Sequence, residues 1–149
     1  MINSLHPALV GFADIRPQAI EDWGQYRLEG EQFLNLAENA FIKKKATFTT
    51  AILYNLIAMA IEKLVMAALM EIGRLPYNHT MHDLVAALEE WLPETIRGME
   101  ESVRALDSYQ EICDPYHCTI KVPTLTEIET MLALARRLEQ RLASAPPYA

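Results

Sequence analysis

The chain has 149 residues, of which 51% are hydrophobic and 22% are charged, as in an ordinary globular domain. Its net charge of −7 lies mostly in residues 76–149, and its only basic run is Lys43-Lys44-Lys45, which argues against a protein that binds duplex DNA. Two cysteines are too few for a disulfide framework, and the first residues lack the basic start and apolar core of a signal peptide. We therefore expect a cytoplasmic protein with no membrane contact.

An irregular lead-in is predicted for residues 1–16, followed by a first helix that begins at Pro17. Apolar residues then recur with helical period as far as Phe41, which indicates one buried face. Gly24 and Gly30 weaken the middle of this helix, because glycine costs about 1 kcal/mol relative to alanine in a helix interior.

The second predicted helix extends from about Thr47 to Ile72 and stops at Gly73. It is apolar most of the way round, which is typical of a helix at the centre of a bundle. Glu62 and Lys63 stand in its middle, where they interrupt an apolar run that is too short to span a bilayer. Because their helical neighbours are all apolar, both charges need partners from other segments or must reach water.

Two further helix starts carry clear capping signals. Thr80 can cap a third helix, with Asp83 placed three residues later at the positive end of the helix dipole. Thr124 and Glu127 have the spacing of a capping box and predict the start of a final helix, which frays into a tail at residues 144–149.

A fourth helix is predicted to begin at Pro93 and to continue without a break. Its outer face would carry the ion pairs Arg97–Glu101 and Glu100–Arg104, four residues apart. Its apolar positions are Ile96, Met99, Val103, Leu106 and Ile112. Together these segments predict a single all-α domain over residues 1–149, an up-and-down bundle of about five helices. The apolar helix faces exceed what such a bundle buries alone, so we expect a homodimer.

The stretch from Ala60 to Leu69, with the following turn and helix start, resembles the HEPN (higher eukaryotes and prokaryotes nucleotide-binding) family. That family has a long central helix with the pattern A-x-E-K-x-L-K-A-x-L, a glycine-containing turn, and a T-H-D-L-like start to the next helix. Val65 and Met66 stand where Leu and Lys are usual. The matching residues are Ala60, Glu62, Lys63, Ala67, Leu69, Gly73, His82, Asp83 and Leu84.

The resemblance implies an HEPN-like helical module that binds a nucleotide, RNA or a protein partner. Similar proteins often work with a small nucleotidyltransferase in toxin–antitoxin or stress systems. We expect a binding rather than a catalytic role. The candidate binding residues are Glu62, Lys63, His82 and Asp83 at the junction of two helices, with a second patch at Tyr109, Tyr116 and His117.

The alternative is an enzyme, because the family includes ribonucleases with an Arg-x(4–6)-His motif. Arg74 and His79 fit that spacing. Arginine can grip a phosphate with two hydrogen bonds, and histidine can move protons near neutral pH, so the pair would support a metal-independent endoribonuclease. The simpler interpretation is that Arg74 lies at a helix end and His79 in an exposed turn. A further alternative is a purely structural helical interaction protein.

Cys113, His117 and Cys118 have the chemistry of zinc ligands. A structural zinc site needs four ligands with defined spacing, and the sequence has no second cluster to complete one. We therefore expect no metal and no cofactor.

Overall fold

The computed structural model describes residues 17–109 and 121–146, and all regular secondary structure within them is helical. The predicted all-α fold is therefore confirmed for these residues. The elements in chain order are α1 (Trp23–Ile42), α2 (Thr50–Glu71), α3 (Met81–Trp91), α4 (Pro93–Ile96), α5 (Glu100–Arg104), a 3₁₀ helix (Ala105–Tyr109) and α6 (Leu125–Ser144).

Helix α2 forms the centre of the bundle and packs against α1, α3 and α6. Ile57, Ile61, Val65 and Leu69 along it are fully buried. By length and composition alone α2 could cross a membrane, since an 18-residue window of the helix has a mean hydropathy of 1.8. However, 61% of that window is buried inside the bundle. A buried core helix meets the same criterion, so the composition of α2 reflects its central position.

Helices α1 and α2 run antiparallel and approach closely. The side chains of Arg27, near the start of α1, and Glu71, at the end of α2, form an ion pair of 2.9 Å. Gly30 lies against Leu64, where a Cβ on the glycine would be 2.8 Å from the Cγ of that leucine. Gly30 therefore sets the spacing of the two helices, whereas Gly24 lies in the first turn of α1 with open space beside it.

The start of α1 differs from the prediction, since the helix begins at Trp23 and not at Pro17. Asp22 has a left-handed backbone with φ 67°, which a continuing helix cannot contain. Residues 17–20 instead cross the carboxyl end of α2, where the Ile20 N–H donates a hydrogen bond of 2.8 Å to the Met70 carbonyl. This tertiary contact replaces the predicted first turn of the helix.

Helix α6 runs parallel to α2 and antiparallel to α1. Leu125, its first residue, lines a groove with Leu53 and Ile42, which lie near the start of α2 and at the end of α1. Further along α6, Arg136 Nη2 lies 2.5 Å from Glu38 Oε2 of α1. In an up-and-down bundle of five helices, the last helix would be parallel to the first. Because α6 is antiparallel to α1, the helices do not alternate strictly in direction.

The predicted fourth helix is broken into α4, α5 and the 3₁₀ helix. A turn separates α4 from α5: Gly98 has φ 75°, and the Met99 N–H donates a hydrogen bond of 2.8 Å to the Ile96 carbonyl. The expected pairs four residues apart do not form. Arg97 pairs with Glu94 instead, and Arg104 pairs with Glu101 at 3.0 Å and with Glu89 of α3 at 2.8 Å.

The predicted helix caps are present. The Asp83 N–H donates to Thr80 Oγ1 at the start of α3, and Thr124 with Glu127 forms a complete capping box at the start of α6. Helix α2 begins at Thr50 with Thr49 as its cap, three residues later than predicted. These signals act within one helical turn, which is why sequence alone locates them well.

Candidate functional site

The two charges in the middle of α2 pair with residues on other segments. Glu62 Oε1 accepts a hydrogen bond of 2.6 Å from His79 Nδ1, in the turn before α3. Lys63 Nζ lies 2.7 Å from Glu29 Oε2 of α1 and 4.0 Å from the centre of the Tyr26 ring. The side chains of Glu62 and Lys63 keep 35% and 27% of their exposure, so both are half-buried and neither is isolated from water.

The contact between Lys63 and Glu29 shifts the pKa of both partners. The hydrogen bond to Glu29 raises the pKa of Lys63 above its ordinary value, despite the opposing effect of burial. The same contact lowers the pKa of Glu29. Lys63 is therefore held as a cation that joins α1 to α2, which is a structural role.

His82, which was predicted to form one binding group with Glu62, does not contact it. Its Nδ1 donates a hydrogen bond of 2.6 Å to Asp107 Oδ2 in the 3₁₀ helix. Asp107 also accepts from the backbone N–H groups of Met81 and His82, at 2.9 and 3.1 Å. Asp83 belongs to the cap formed with Thr80. Both residues thus stabilise the start of α3 and lie away from the polar pair at Glu62.

Arg74 and His79 contact different parts of the molecule. The Arg74 guanidinium lies 3.6 Å from the centre of the Trp91 ring, at the carboxyl end of α3. His79 lies just before the amino end of the same helix and contacts Glu62. The structure does not bring the two residues of the predicted ribonuclease motif into one cleft.

His79 and Glu62 open onto a cleft of about 610 Å³ between α2, the turn before α3 and the residues that lead into α6. Its other polar lining groups are Asn55, Tyr109 and Lys121. The apolar part of the lining includes Tyr54, Ala58, Met59 and Met81. Pockets of roughly 300–1,000 Å³ with a few convergent polar groups are typical of small-molecule sites.

Tyr109 links the cleft to the bundle. Its ring lies 5.4 Å from that of Tyr54, whose hydroxyl donates a hydrogen bond of 2.7 Å to the Leu106 carbonyl. Lys121 Nζ lies 4.5 Å from the centre of the Tyr109 ring. Of the second predicted patch, Tyr109 lines the cleft, whereas Tyr116 and His117 lie outside the described residues.

The negative charge next to Lys121 comes from Glu127. The backbone N–H of Thr124 lowers the pKa of Glu127, with further contributions from the Tyr109 hydroxyl and the Lys121 ammonium group. Among the described residues, the charged or titratable lining groups of the cleft are Lys121, His79 and Glu62, and Glu127 lies beside Lys121. Of these, Lys121 and His79 are the groups that can accept an anionic ligand.

Asn55 and Lys121 were not among the residues predicted from the sequence. A signal existed for Asn55, because Ala51, Asn55, Ala58, Met59 and Glu62 fall on one stripe of α2 at helical spacing. No pattern in the sequence points to Lys121, which reaches the cleft through the packing of α6.

Metal binding has no support in the part of the chain that the structure describes. No group of three or more His, Cys, Asp or Glu side chains there could hold an ion. Cys113, His117 and Cys118 lie outside the described residues. Comparison with known protein families, curated proteins and solved structures found no match for this chain.

Proposed function

We propose that the chain is an HEPN-like binding module that takes a nucleotide in the cleft beside Glu62 and His79. The observation that supports this proposal is the convergence of His79, Lys121 and Tyr109 on one cleft of small-molecule size. The proposal agrees with the resemblance of residues 60–84 to that family.

The chemistry of the cleft suits an anionic ligand with a flat apolar part. Lys121 supplies a positive charge for a phosphate, and the Nδ1 contact with Glu62 leaves Nε2 of His79 available to a ligand. Ala58 and Met59 offer an apolar surface on which a base can pack. Met59 is 42% exposed, so this surface is accessible.

We further propose that the module acts as a homodimer and works with a nucleotidyltransferase partner in a cytoplasmic toxin–antitoxin or stress system. The exposed apolar residue Ile52 of α2, which does not line the cleft, supports self-association. The nucleotidyltransferase partner follows only from the family resemblance. Sedimentation of the purified chain over a range of concentrations tests the dimer.

Titration calorimetry with AMP, ADP, ATP, GTP and inorganic phosphate tests the nucleotide proposal directly. We expect at least one nucleotide to bind, and we expect Lys121→Ala to weaken it about tenfold, since a hydrogen bond to a charged group is worth about 1.5–3 kcal/mol. Arg137→Ala removes an exposed cation on α6, away from the cleft lining, and is the matched control. If no nucleotide binds or raises the melting temperature, the chain is better described as a structural interaction protein.

The second candidate function is a metal-independent ribonuclease. One observation favours it: the Glu62 carboxylate orients the His79 ring, as an acidic residue orients a histidine base in many enzymes. Arg74 is held against Trp91, so the predicted pair would need a rearrangement to act on one phosphate. Expression of the wild-type chain and His79→Ala should distinguish the two functions. RNA fragments that end in 2′,3′-cyclic phosphate, lost in the variant, would establish the enzyme.

A further inference from the structure

The end of α1 forms a second surface that the proposed cleft does not use. Lys43, Lys44 and Lys45 are exposed at this end, and Lys44 and Lys45 line an apolar groove of about 430 Å³. The groove walls include Phe48 and Leu53. We call this surface the basic groove.

The three lysines of the basic groove carry uncompensated charge. None of them takes part in an ion pair within residues 17–109 and 121–146. The whole chain has a net charge of −7, which includes +3 from these lysines, so the charges of all other residues sum to −10. The basic groove is thus a concentrated positive surface on an acidic protein, and it favours an acidic occupant.

The backbone at Lys44 is unusual for a lysine. Its φ is 48°, and the N–H groups of Lys44 and Lys45 donate to the carbonyls of Phe41 and Ala40 at 3.1 Å each. This is the hydrogen-bond pattern of a Schellman motif, in which glycine usually takes the left-handed position. A lysine here has a conformational cost that glycine avoids, so the motif itself does not account for the lysine side chain.

The rim of the basic groove is apolar and open to solvent. Ile42 is 70% exposed and Leu125 is 63% exposed. Both line the groove, so a bound segment would cover them. The occupant must therefore combine an apolar face, which fits against Ile42 and Leu125, with acidic side chains that reach the lysines.

We propose that the basic groove docks an acidic amphipathic segment of a partner protein. A second copy of this chain fits less well, because a groove that binds a different surface of the next copy produces open chains of subunits instead of a closed dimer. An anionic membrane also fits less well, since a flat lipid surface does not fill a concave groove. A protein segment satisfies both the concave shape and the charge.

Fluorescence anisotropy with a labelled model peptide tests the proposal. The probe is a helical peptide of roughly 18 residues, long enough to form a helix, with leucines on one face and glutamates on the other. We expect the peptide to bind at low salt, and we expect its affinity to fall as salt is added. The triple variant Lys43→Gln, Lys44→Gln, Lys45→Gln should weaken binding about tenfold, since each exposed charge pair contributes up to about 1 kcal/mol.

Two further variants separate the charge from the apolar rim. Lys44→Gln should lower the affinity for the peptide more than the matched control Arg137→Gln does. Arg137 is an exposed cation about 18 Å along α6 from Leu125. Ile42→Ser should also weaken it, with the melting temperature unchanged because Ile42 is largely exposed. Nucleotide binding in the cleft should be unaffected by all of these changes, so the two proposals fail independently.

Several outcomes would overturn the docking proposal. Equal binding of a leucine–lysine peptide would show that the charge is irrelevant. Binding to phosphatidylserine vesicles without binding to the acidic peptide would assign the groove to a membrane. Loss of self-association in the triple lysine variant would assign it to a second copy.

Discussion

Gly73 lies directly against the backbone of Gln18, so that a Cβ at Gly73 would overlap the Gln18 carbonyl oxygen. The same Cβ would also lie 2.8 Å from Pro17 Cβ. Gly73 has φ 72° and ends α2, so it serves the helix terminus and the crossing segment together. Residues 17–20 can cross the end of α2 only because this position has no side chain.

Replacing Gly73 with alanine should therefore be much more destabilising than the same change at Gly98. Gly98 has the same backbone conformation, with φ 75°, but open space where a Cβ would lie. We expect Gly98→Ala to lower the free energy of unfolding by about 1 kcal/mol, from backbone strain alone. Gly73→Ala should lower it by about 2–4 kcal/mol, because overpacking adds to the strain. Urea denaturation measures both, and equal losses would mean that residues 17–20 do not pack on Gly73.

A second pair of glycines in α1 separates helix propensity from packing. Gly30→Ala gains helix propensity but drives its Cβ to 2.8 Å from Leu64 Cγ and 3.1 Å from the Leu64 backbone nitrogen. We expect a net loss of about 1–2 kcal/mol in the free energy of unfolding. Gly24→Ala meets nothing within 4 Å and should be neutral or stabilising by up to about 1 kcal/mol. Stabilisation by both variants would contradict the close approach of α1 and α2.

Asp107 is expected to be important for stability, although it does not line the cleft. Its carboxylate accepts from the N–H groups of Met81 and His82 and from the His82 ring. Asp107→Ala leaves these donors at the start of α3 without their partner and should cost about 1–2 kcal/mol in the free energy of unfolding. Ser108→Ala is the control, since the Ser108 hydroxyl donates to the Ala105 carbonyl in its own turn and not to α3. Thermal denaturation of the two variants should show a clear difference in melting temperature.

The Lys63–Glu29 contact predicts a pH dependence with a definite sign. Lys63 lowers the pKa of Glu29, so the contact stabilises the fold at pH values above the ordinary carboxyl pKa of about 4.3. That stabilisation is lost as the pH falls through the lowered pKa of the folded state. Because the pKa of Lys63 is raised, its contribution persists to a pH above about 10.4. The difference in unfolding free energy between wild type and Lys63→Met should therefore shrink below about pH 4.

The control for this pH experiment is Arg137→Gln, an exposed substitution on α6 whose effect should not follow the same acid transition. At neutral pH, Lys63→Met also removes the contact with the Tyr26 ring, for which about 0.5–1 kcal/mol is expected. A difference that stays constant from pH 2 to pH 7 would mean that packing, and not charge, accounts for the effect of Lys63.

Glu62 should matter more for ligand binding than for folding. Its partner His79 is 62% exposed in its side chain, and exposed ion pairs contribute only about 0–1 kcal/mol. Glu62→Gln should therefore change the melting temperature by at most a few degrees. It should alter nucleotide affinity through the orientation of the His79 ring. A large loss of stability with unchanged affinity would show that Glu62 is a structural residue and not part of a binding site.

Local signals in the sequence were sufficient for several features of the fold. Thr80 and Thr124 cap helices, Gly73 follows the end of α2, and the nearly uniform apolar composition of α2 indicates its central position. Each of these features depends either on contacts within one helical turn or on the apolar composition of a single helix. The sequence contains the whole of that information.

Only the tertiary structure decided which side chains meet. Glu62 and His82 were predicted to belong to one binding group, but the packing of the 3₁₀ helix pairs His82 with Asp107, and Glu62 is bonded to His79. Lys121 enters the cleft for the same reason, because α6 packs along α2. A contact between residues distant in sequence depends on the relative positions of whole helices. Those positions follow from the burial of many side chains together, and no local pattern records them.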